Sequence, residues 1–166
     1  MKESGSTRVH AFLKALANLL LGALLGAGTA LAADVTAMDV RMFAPIEGGA
    51  PNTAMFLTLN NSGADDYEVV RAESDVARSV ELHGHIEENG VMKMRPVPSI
   101  KIPPHGHVEL KPGGLHVMFI DLKKPLHVGA RVKVRLVLDH GGAITVTAPV
   151  VARPGMEHSA ASHSHH

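Results

Sequence analysis

The fold is decided by residues 132–138, VKVRLVL, and residues 144–148, ITVTA, which the turn residues His140-Gly141-Gly142 separate. Apolar side chains alternate with polar ones in both runs, apart from Val137. A period of two is typical of β-strands that bury one face, and a glycine-rich turn between two such runs indicates a hairpin. The C-terminal third of the chain therefore predicts two antiparallel strands.

The same pattern of short apolar runs and turn residues extends upstream, and no helical period interrupts it. Asn60-Asn61-Ser62-Gly63 and Lys111-Pro112-Gly113-Gly114 are strong turn signals between such runs. Eight or nine short strands at this spacing predict an all-β fold, an antiparallel β-sandwich with Greek-key connections. The predicted strands cover residues 35–42, 54–60, 67–72, 79–85, 91–97, 107–110, 115–122, 132–138 and 144–148, with a further extended piece ending at 103–104.

The first 32 residues resemble an export signal. Lys2, Arg8 and Lys14 precede the apolar run 15–27, and Ala30-Leu31-Ala32 offers the small residues that signal peptidase needs. We expect cleavage near Ala32, a periplasmic protein and no stable membrane insertion afterwards; a single membrane helix is the alternative. A bacterial lipid anchor is not expected, since it requires a cysteine and the chain has none. We expect one domain at 33–153 and a disordered tail at 154–166.

The composition excludes several classes of function. The chain carries 16 basic and 16 acidic residues, and the expected mature part has 13 basic and 15 acidic ones, so nothing indicates nucleic-acid binding. Without disulfides, an exported domain of this size must be stabilised by a packed core. We found no nucleophile elbow, no recognisable carboxylate pair and no cofactor fingerprint, so we do not expect an enzyme.

Histidine and methionine residues concentrate between residues 83 and 118. His83 is followed after ten residues by Met94, then after twenty-one by His116, and after one more by Met118. Residues two apart on a strand share a face, so His116 and Met118 form a pair of donors, and a hairpin at Glu88-Asn89-Gly90 would bring His83 and Met94 within reach of one ion. Imidazole and thioether together favour Cu(I). Two auxiliary ligands, His85 and Met92, each lie two residues from a nominated one.

Less specific interpretations exist for each of these residues. A strand methionine usually fills the core, and Met118 is the most open to this objection because Ile120 and Leu122 share its parity. Met92 could equally be a packing residue. The remaining histidines of the predicted domain, namely His105, His107, His127 and His140, are expected to be solvated surface side chains.

The spacing of these residues, in the context of 80–83, VELH, 90–97, GVMKMRPV, and 111–118, KPGGLHVM, resembles the periplasmic copper chaperone family PCuAC. The likeness extends from about residue 35 to residue 148. The resemblance implies a cupredoxin-like sandwich that binds Cu(I) through His83, Met94, His116 and Met118. It also implies delivery of copper toward the CuA centre in subunit II of cytochrome c oxidase, directly or through Sco-type thiol proteins. Glu87 departs from the family, whose members often carry methionine there.

The segment from residue 154 to residue 166 forms a separate signal. Its small polar residues cannot bury enough surface to fold, while its imidazoles could chelate Cu(II). PCuAC-like proteins sometimes carry such tails, and the resemblance implies an auxiliary Cu(II) site here; a low-complexity segment or an engineered remnant is the competing interpretation. The expected mature start, Ala33-Asp34-Val35, lacks a histidine at its third position and predicts no amino-terminal Cu(II) site. The candidate ligands of the tail are Met156, His158, His163, His165 and His166.

Two other classes of protein remain as alternatives to a copper chaperone. An electron-transfer cupredoxin would need a thiolate for a blue-copper site, and this chain has no cysteine. A metal-buffering or adhesion-type sandwich would bind zinc and copper with similar affinities and would not transfer either. Thioethers neither lose a proton nor form disulfides, so a His/Met site keeps working in an oxidising compartment.

Overall fold

The computed structural model describes residues 34–154, and within them the chain forms ten β-strands and no helix. No segment of this described part could therefore cross a membrane as a helix. The strands are β1 Val35–Phe43, β2 Thr53–Asn61, β3 Tyr67–Glu73, β4 Ala77–Glu88, β5 Val91–Pro96, β6 Ile100–Ile102, β7 Gly106–Leu110, β8 His116–Leu122, β9 Arg131–Leu138 and β10 Ala143–Val151.

The strands run in the order β5-β4-β8-β2-β1-β10-β9-β3-β6, with β7 also paired to β2. All pairs are antiparallel except β1 and β10, which meet in parallel where Met42 and Phe43 face Val150 and Val151. The connections from β2 to β3 and from β3 to β4 cross between the two halves of this order, as in a Greek key. The chain thus has the expected all-β, cupredoxin-like fold, with ten strands rather than eight or nine.

One core lies between the two halves of the strand order. In β9 the burial alternates strictly up to Leu136, as predicted, with the valines and leucines inside and the basic residues outside. From the other half, Leu57, Leu82, Val117 and Phe119 face the same core. Each such side chain contributes about 1.5–3 kcal/mol when it is fully buried, which is the main stabilising term in a domain without disulfides.

A β-bulge divides β1 into two parts. Met38 pairs with Thr58 and Arg41 with Phe56, so β1 contains one residue more than β2 over this interval. Asp39 lies within it at a φ of 54°. Because an extra residue reverses the alternation, Val35 and Met42 can both face the core although their numbers differ in parity.

The β4–β5 hairpin closes through a two-residue loop, Asn89-Gly90. Both residues have positive φ, 55° and 78°, which is the conformation of a type I′ turn. This loop makes Glu88 the partner of Val91 and consequently His85 the partner of Met94. The hairpin lies at one end of the strand order, so β5 is an edge strand of the described sheet.

Candidate metal centre

The four nominated ligands lie on one face of three neighbouring strands. β4 runs between β5 and β8, and in its register His83 lies opposite His116, while Glu81 lies opposite Met118. Met94 lies opposite His85, which shares the parity of His83. Because side chains two apart on a strand project to the same side, all four ligands share the outer face. The intervening Leu82, Val117 and Phe119 are buried in the core.

His83 and His116 form the centre of this face. Their ring centroids are 5.7 Å apart, and the two residues are 8% and 2% exposed. The Phe56 ring, on β2, lies 6.2 Å from the His116 ring and covers its other side. Buried polar side chains away from the main core are uncommon without a functional partner, so this pair marks the site.

Each of the two rings is hydrogen-bonded at one nitrogen only. His116 Nδ1 lies 3.0 Å from the Gly114 carbonyl oxygen, and His83 Nε2 lies 2.9 Å from Glu81 Oε2. The other nitrogens, His116 Nε2 and His83 Nδ1, are buried and have no hydrogen-bond partner among the described residues. A buried polar atom without a partner costs about 1–3 kcal/mol, a cost that a bound metal ion would remove.

The protonation of the site favours metal binding. Burial lowers the pKa of the His116 imidazole, the Gly114 carbonyl opposes this, and His83 and His85 lower that pKa further. His116 therefore remains neutral at pH 7, and a neutral ring has a free lone pair. The hydrogen bond from His83, and to a smaller extent the one from Ser79, lowers the pKa of the Glu81 carboxyl. This carboxyl is thus ionised beside the pair.

The two methionines flank the histidine pair from opposite ends. Met94 is next to the pair on the side of His85, and Met118 is next to it on the side of Glu81. Met118 is half-buried on the outer face, so its parity with Ile120 does not draw it into the core. Met94, on the edge strand, is 43% exposed. The register thus places both methionines at positions next to the pair, and Met94 is open to solvent.

The hairpin register places His85 opposite Met94, so that His85 joins the cluster. The His85 ring lies 5.8 Å from the His116 ring, and its Nδ1 is 3.3 Å from the same Gly114 oxygen. Met92 lies one step further out, opposite Glu87, and is 57% exposed. The Asn89-Gly90 dipeptide already carried this information, because a two-residue loop pairs residue 85 with residue 94.

Three contributors to the site were not nominated from the sequence: Phe56, Glu81 and Gly114. Glu81 could have been found, since it lies two residues before His83 on a strand and must share its face. Gly114 and Phe56 carry no such local signal. They reach the histidines through the turn before β8 and through the β2–β8 pairing.

The donor set is suited to a soft metal ion. Within residues 34–154, no three His, Asp or Glu side chains converge closely enough to hold a metal ion by themselves. An ion at His83 and His116 would therefore need thioether sulfur to complete its coordination. Sulfur and imidazole ligands together favour Cu(I), whereas the hard cations prefer oxygen-rich sites. The expected export signal, 1–32, and the tail ligands Met156, His158, His163, His165 and His166 lie outside the described residues.

Comparison with known proteins shows which family and which solved structures this chain is similar to. A family model described as "Putative lipoprotein LpqE-like" matches residues 35–150. "Putative lipoprotein Lxx21020" of Leifsonia xyli subsp. xyli is 36% identical over 103 residues, which cover 61% of this chain and 62% of the relative. The chain thus spans less than two thirds of the length of that relative.

Two solved structures are similar over most of the described region. The copper-bound PCuAC domain from PmoF2 is 26% identical with a TM-score of 0.61, and the match covers 72% of this chain and 94% of the domain. CuI-DR1885 from Deinococcus radiodurans is 29% identical with a TM-score of 0.54, covering 83% of this chain and 87% of that one.

Proposed function

Because this chain belongs to the LpqE-like family and its predicted resemblance to PCuAC domains is confirmed, we propose that it is a copper chaperone. In this proposal His83, Met94, His116 and Met118 bind Cu(I). The observation that carries the proposal is the pair of buried imidazole nitrogens without partners among the described residues, with Met94 and Met118 at neighbouring positions of the strand register. The copper bound by the PmoF2 domain and the Cu(I) bound by DR1885 support the choice of metal.

The proposed mechanism is capture and transfer rather than catalysis. Neutral imidazoles and thioethers release no proton when Cu(I) binds and donate more weakly than thiolates, so the ion stays exchangeable. Met94 is exposed on the edge strand, which gives an incoming protein access to the ion from that side. A partner that offers two cysteines would then take the metal with a fall in free energy, because its thiolates bind Cu(I) more tightly. We propose a Sco-type thiol protein or subunit II of cytochrome c oxidase, with its CuA centre, as that partner.

The rest of the chain fits the same proposal. The lipoprotein names of the family and of the Leifsonia relative support an exported protein, and we place this one in the periplasm after removal of residues 1–32. We propose that residues 33–153 form the Cu(I)-binding domain. The tail at 154–166 would hold Cu(II) through its histidines and Met156, as an auxiliary site.

Ligand variants test the assignment directly. We expect Met94→Leu and His116→Ala each to lower the Cu(I) affinity by at least about tenfold, since losing even a residue that supports a ligand costs 10–100-fold. Affinity is measured by competition with a chromophoric Cu(I) chelator under anaerobic conditions, and circular dichroism checks the fold. Met38→Leu is the matched control, because Met38 is another exposed strand methionine and lies on β1, away from the site. Unchanged affinity in both ligand variants would remove the assignment.

A transfer experiment separates a chaperone from a metal-buffering or adhesion-type sandwich. We expect the Cu(I)-loaded protein to lose its metal to an apo dithiol acceptor protein and to prefer Cu(I) to Zn(II) clearly. The described residues do not offer three nitrogen or oxygen ligands at one point, which disfavours zinc. Similar affinities for both metals, together with no transfer, would favour the buffering function.

A further inference from the structure

Glu81 is held in a fixed position on the outer face of β4. Its Oε2 accepts the hydrogen bond from His83, and its Oε1 accepts one from Ser79 Oγ at 2.9 Å. Ser79, Glu81 and His83 are spaced by two and therefore line up along the strand. Within the described residues, Glu81 is the only charged side chain that is hydrogen-bonded to either ring of the central pair.

We propose that Glu81 is a positioning residue which holds His83 as its Nε2–H tautomer, so that His83 offers Nδ1 to copper while His116 offers Nε2. This inference deepens the proposed function and rests on it. The set of four proposed ligands and the family match give Glu81 no role. They also do not say which nitrogen of either ring would bind copper.

The tautomers follow from what each anchor can do. A neutral imidazole has one N–H donor and one lone pair, whereas an ionised carboxylate and a backbone carbonyl only accept hydrogen bonds. The nitrogen that faces Glu81 must therefore carry the proton on His83, and the nitrogen that faces Gly114 must carry it on His116. The lone pairs then fall on the two buried nitrogens that have no partner. These two nitrogens are also buried, so bulk water does not satisfy them.

The two anchors differ in charge, and this difference has a consequence for the ion. Four neutral ligands leave the single positive charge of Cu(I) uncompensated in a site whose central rings are largely buried, and burying a charge without a counter-charge is costly. Glu81 supplies one negative charge through a single hydrogen bond to a ligand. Hydrogen-bonded carboxylates of this kind orient metal-binding histidines and make them stronger donors.

The tautomers can be read in the apo protein, independently of copper. Long-range ¹⁵N–¹H correlation spectra at neutral pH should show His83 protonated at Nε2 and His116 at Nδ1. Glu81→Ala should convert His83 to a mixture of tautomers and leave His116 unchanged, whereas Glu81→Gln, which retains an acceptor oxygen, should keep the wild-type tautomer. An Nδ1–H tautomer of His83 in the wild type, or an unaltered His83 in Glu81→Ala, would overturn the proposal.

Affinity measurements then separate the hydrogen bond from the charge. We expect Glu81→Ala to weaken Cu(I) binding by about 10–100-fold and Glu81→Gln to weaken it by less. Glu87→Gln is the matched control, because Glu87 is an exposed carboxylate on the same face of β4. Wild-type affinity in Glu81→Ala, with a loss in His116→Ala, would remove the role of Glu81 alone. Wild-type affinity in His116→Ala and Met94→Leu would instead remove the proposed function.

Discussion

Two β-hairpins of this protein both consist of two antiparallel strands, but they differ in how many of their side chains are buried. In β9–β10 the apolar residues of β9 are buried and the basic ones exposed, so the hairpin contributes a whole face to the core. In β4–β5 every residue of β5 is exposed or half-buried. Of the eight large apolar side chains that are exposed in the described residues, four belong to this one hairpin: Ile86, Val91, Met92 and Met94.

The difference indicates that β9–β10 stabilises the core, whereas β5 presents an exposed surface. Exposed apolar side chains contribute little to stability, and their concentration beside the proposed ligands is typical of surfaces that contact another molecule. The edge strand β5, which carries the proposed ligand Met94, can therefore move without disturbing the core, whereas β4 is held by its pairing with β8 and by the buried Leu82. Sites that must release a ligand commonly lie in such regions of low local stability.

Hydrogen exchange gives the largest expected contrast between the hairpins. We expect the hydrogen-bonded amides of β9, which lies between β10 and β3, to exchange only on global unfolding, at roughly 5–15 kcal/mol. The amides of β5, paired on one side only, should exchange through local opening at a small fraction of that free energy. Mass spectrometry or NMR exchange on the apo protein measures both. Equal protection of the β5 and β9 amides would contradict the different roles of the two hairpins.

Truncation of one side chain in each hairpin should give the next largest difference. Leu136→Ala removes a residue that is 1% exposed and should lower the free energy of unfolding by about 2–5 kcal/mol. Met92→Ala, on the exposed end of β5, should change it by no more than about 0.5 kcal/mol. Urea denaturation of the apo variants measures these values. A loss above 1 kcal/mol for Met92→Ala would assign β5 to the structural part of the molecule.

The pH dependence of stability should give the smallest effect and should arise at the proposed metal site. The pKa of His116 in the folded protein lies below its ordinary 6.5, so the unfolded chain binds more protons between these two pKa values. By linkage, the free energy of unfolding of the apo protein is independent of this group above about pH 6.5 and falls as the pH drops toward the folded pKa.

Urea midpoints between about pH 7.5 and pH 5.5 test this dependence, with His116→Gln as the comparison. The variant should lose the part of the slope that His116 causes. The Asp139 carboxyl in the turn of the other hairpin does not interfere, because the hydrogen bond from the Glu68 backbone N–H lowers its pKa below the ordinary 3.8. An unchanged slope in His116→Gln would show that the pH dependence arises elsewhere.

Much of the site could be predicted because strand geometry is local. The even spacing of His116 and Met118 put them on one face, and the Asn89-Gly90 turn fixed a hairpin. The sequence placed His83 and Met94 on either side of that turn, and the register of the folded hairpin adds that His85 lies opposite Met94. The bulge at Asp39 and the parallel pairing of β1 with β10 could not be predicted, since they depend on how distant strands meet around the core.

The residues themselves determined the strand pattern, the soft donor set and the absence of thiolates, because these depend on side-chain chemistry and on a period of two along the chain. Only the folded sandwich decided that His83 and His116 lie opposite each other, that the Phe56 ring lies near His116, and that one nitrogen of each ring has no partner among the described residues. Each ring makes its hydrogen bond to a residue two positions away, but the burial of both rings arises between β2, β4 and β8, which are remote in sequence. No local pattern can encode those contacts, since they form only when the strands pack.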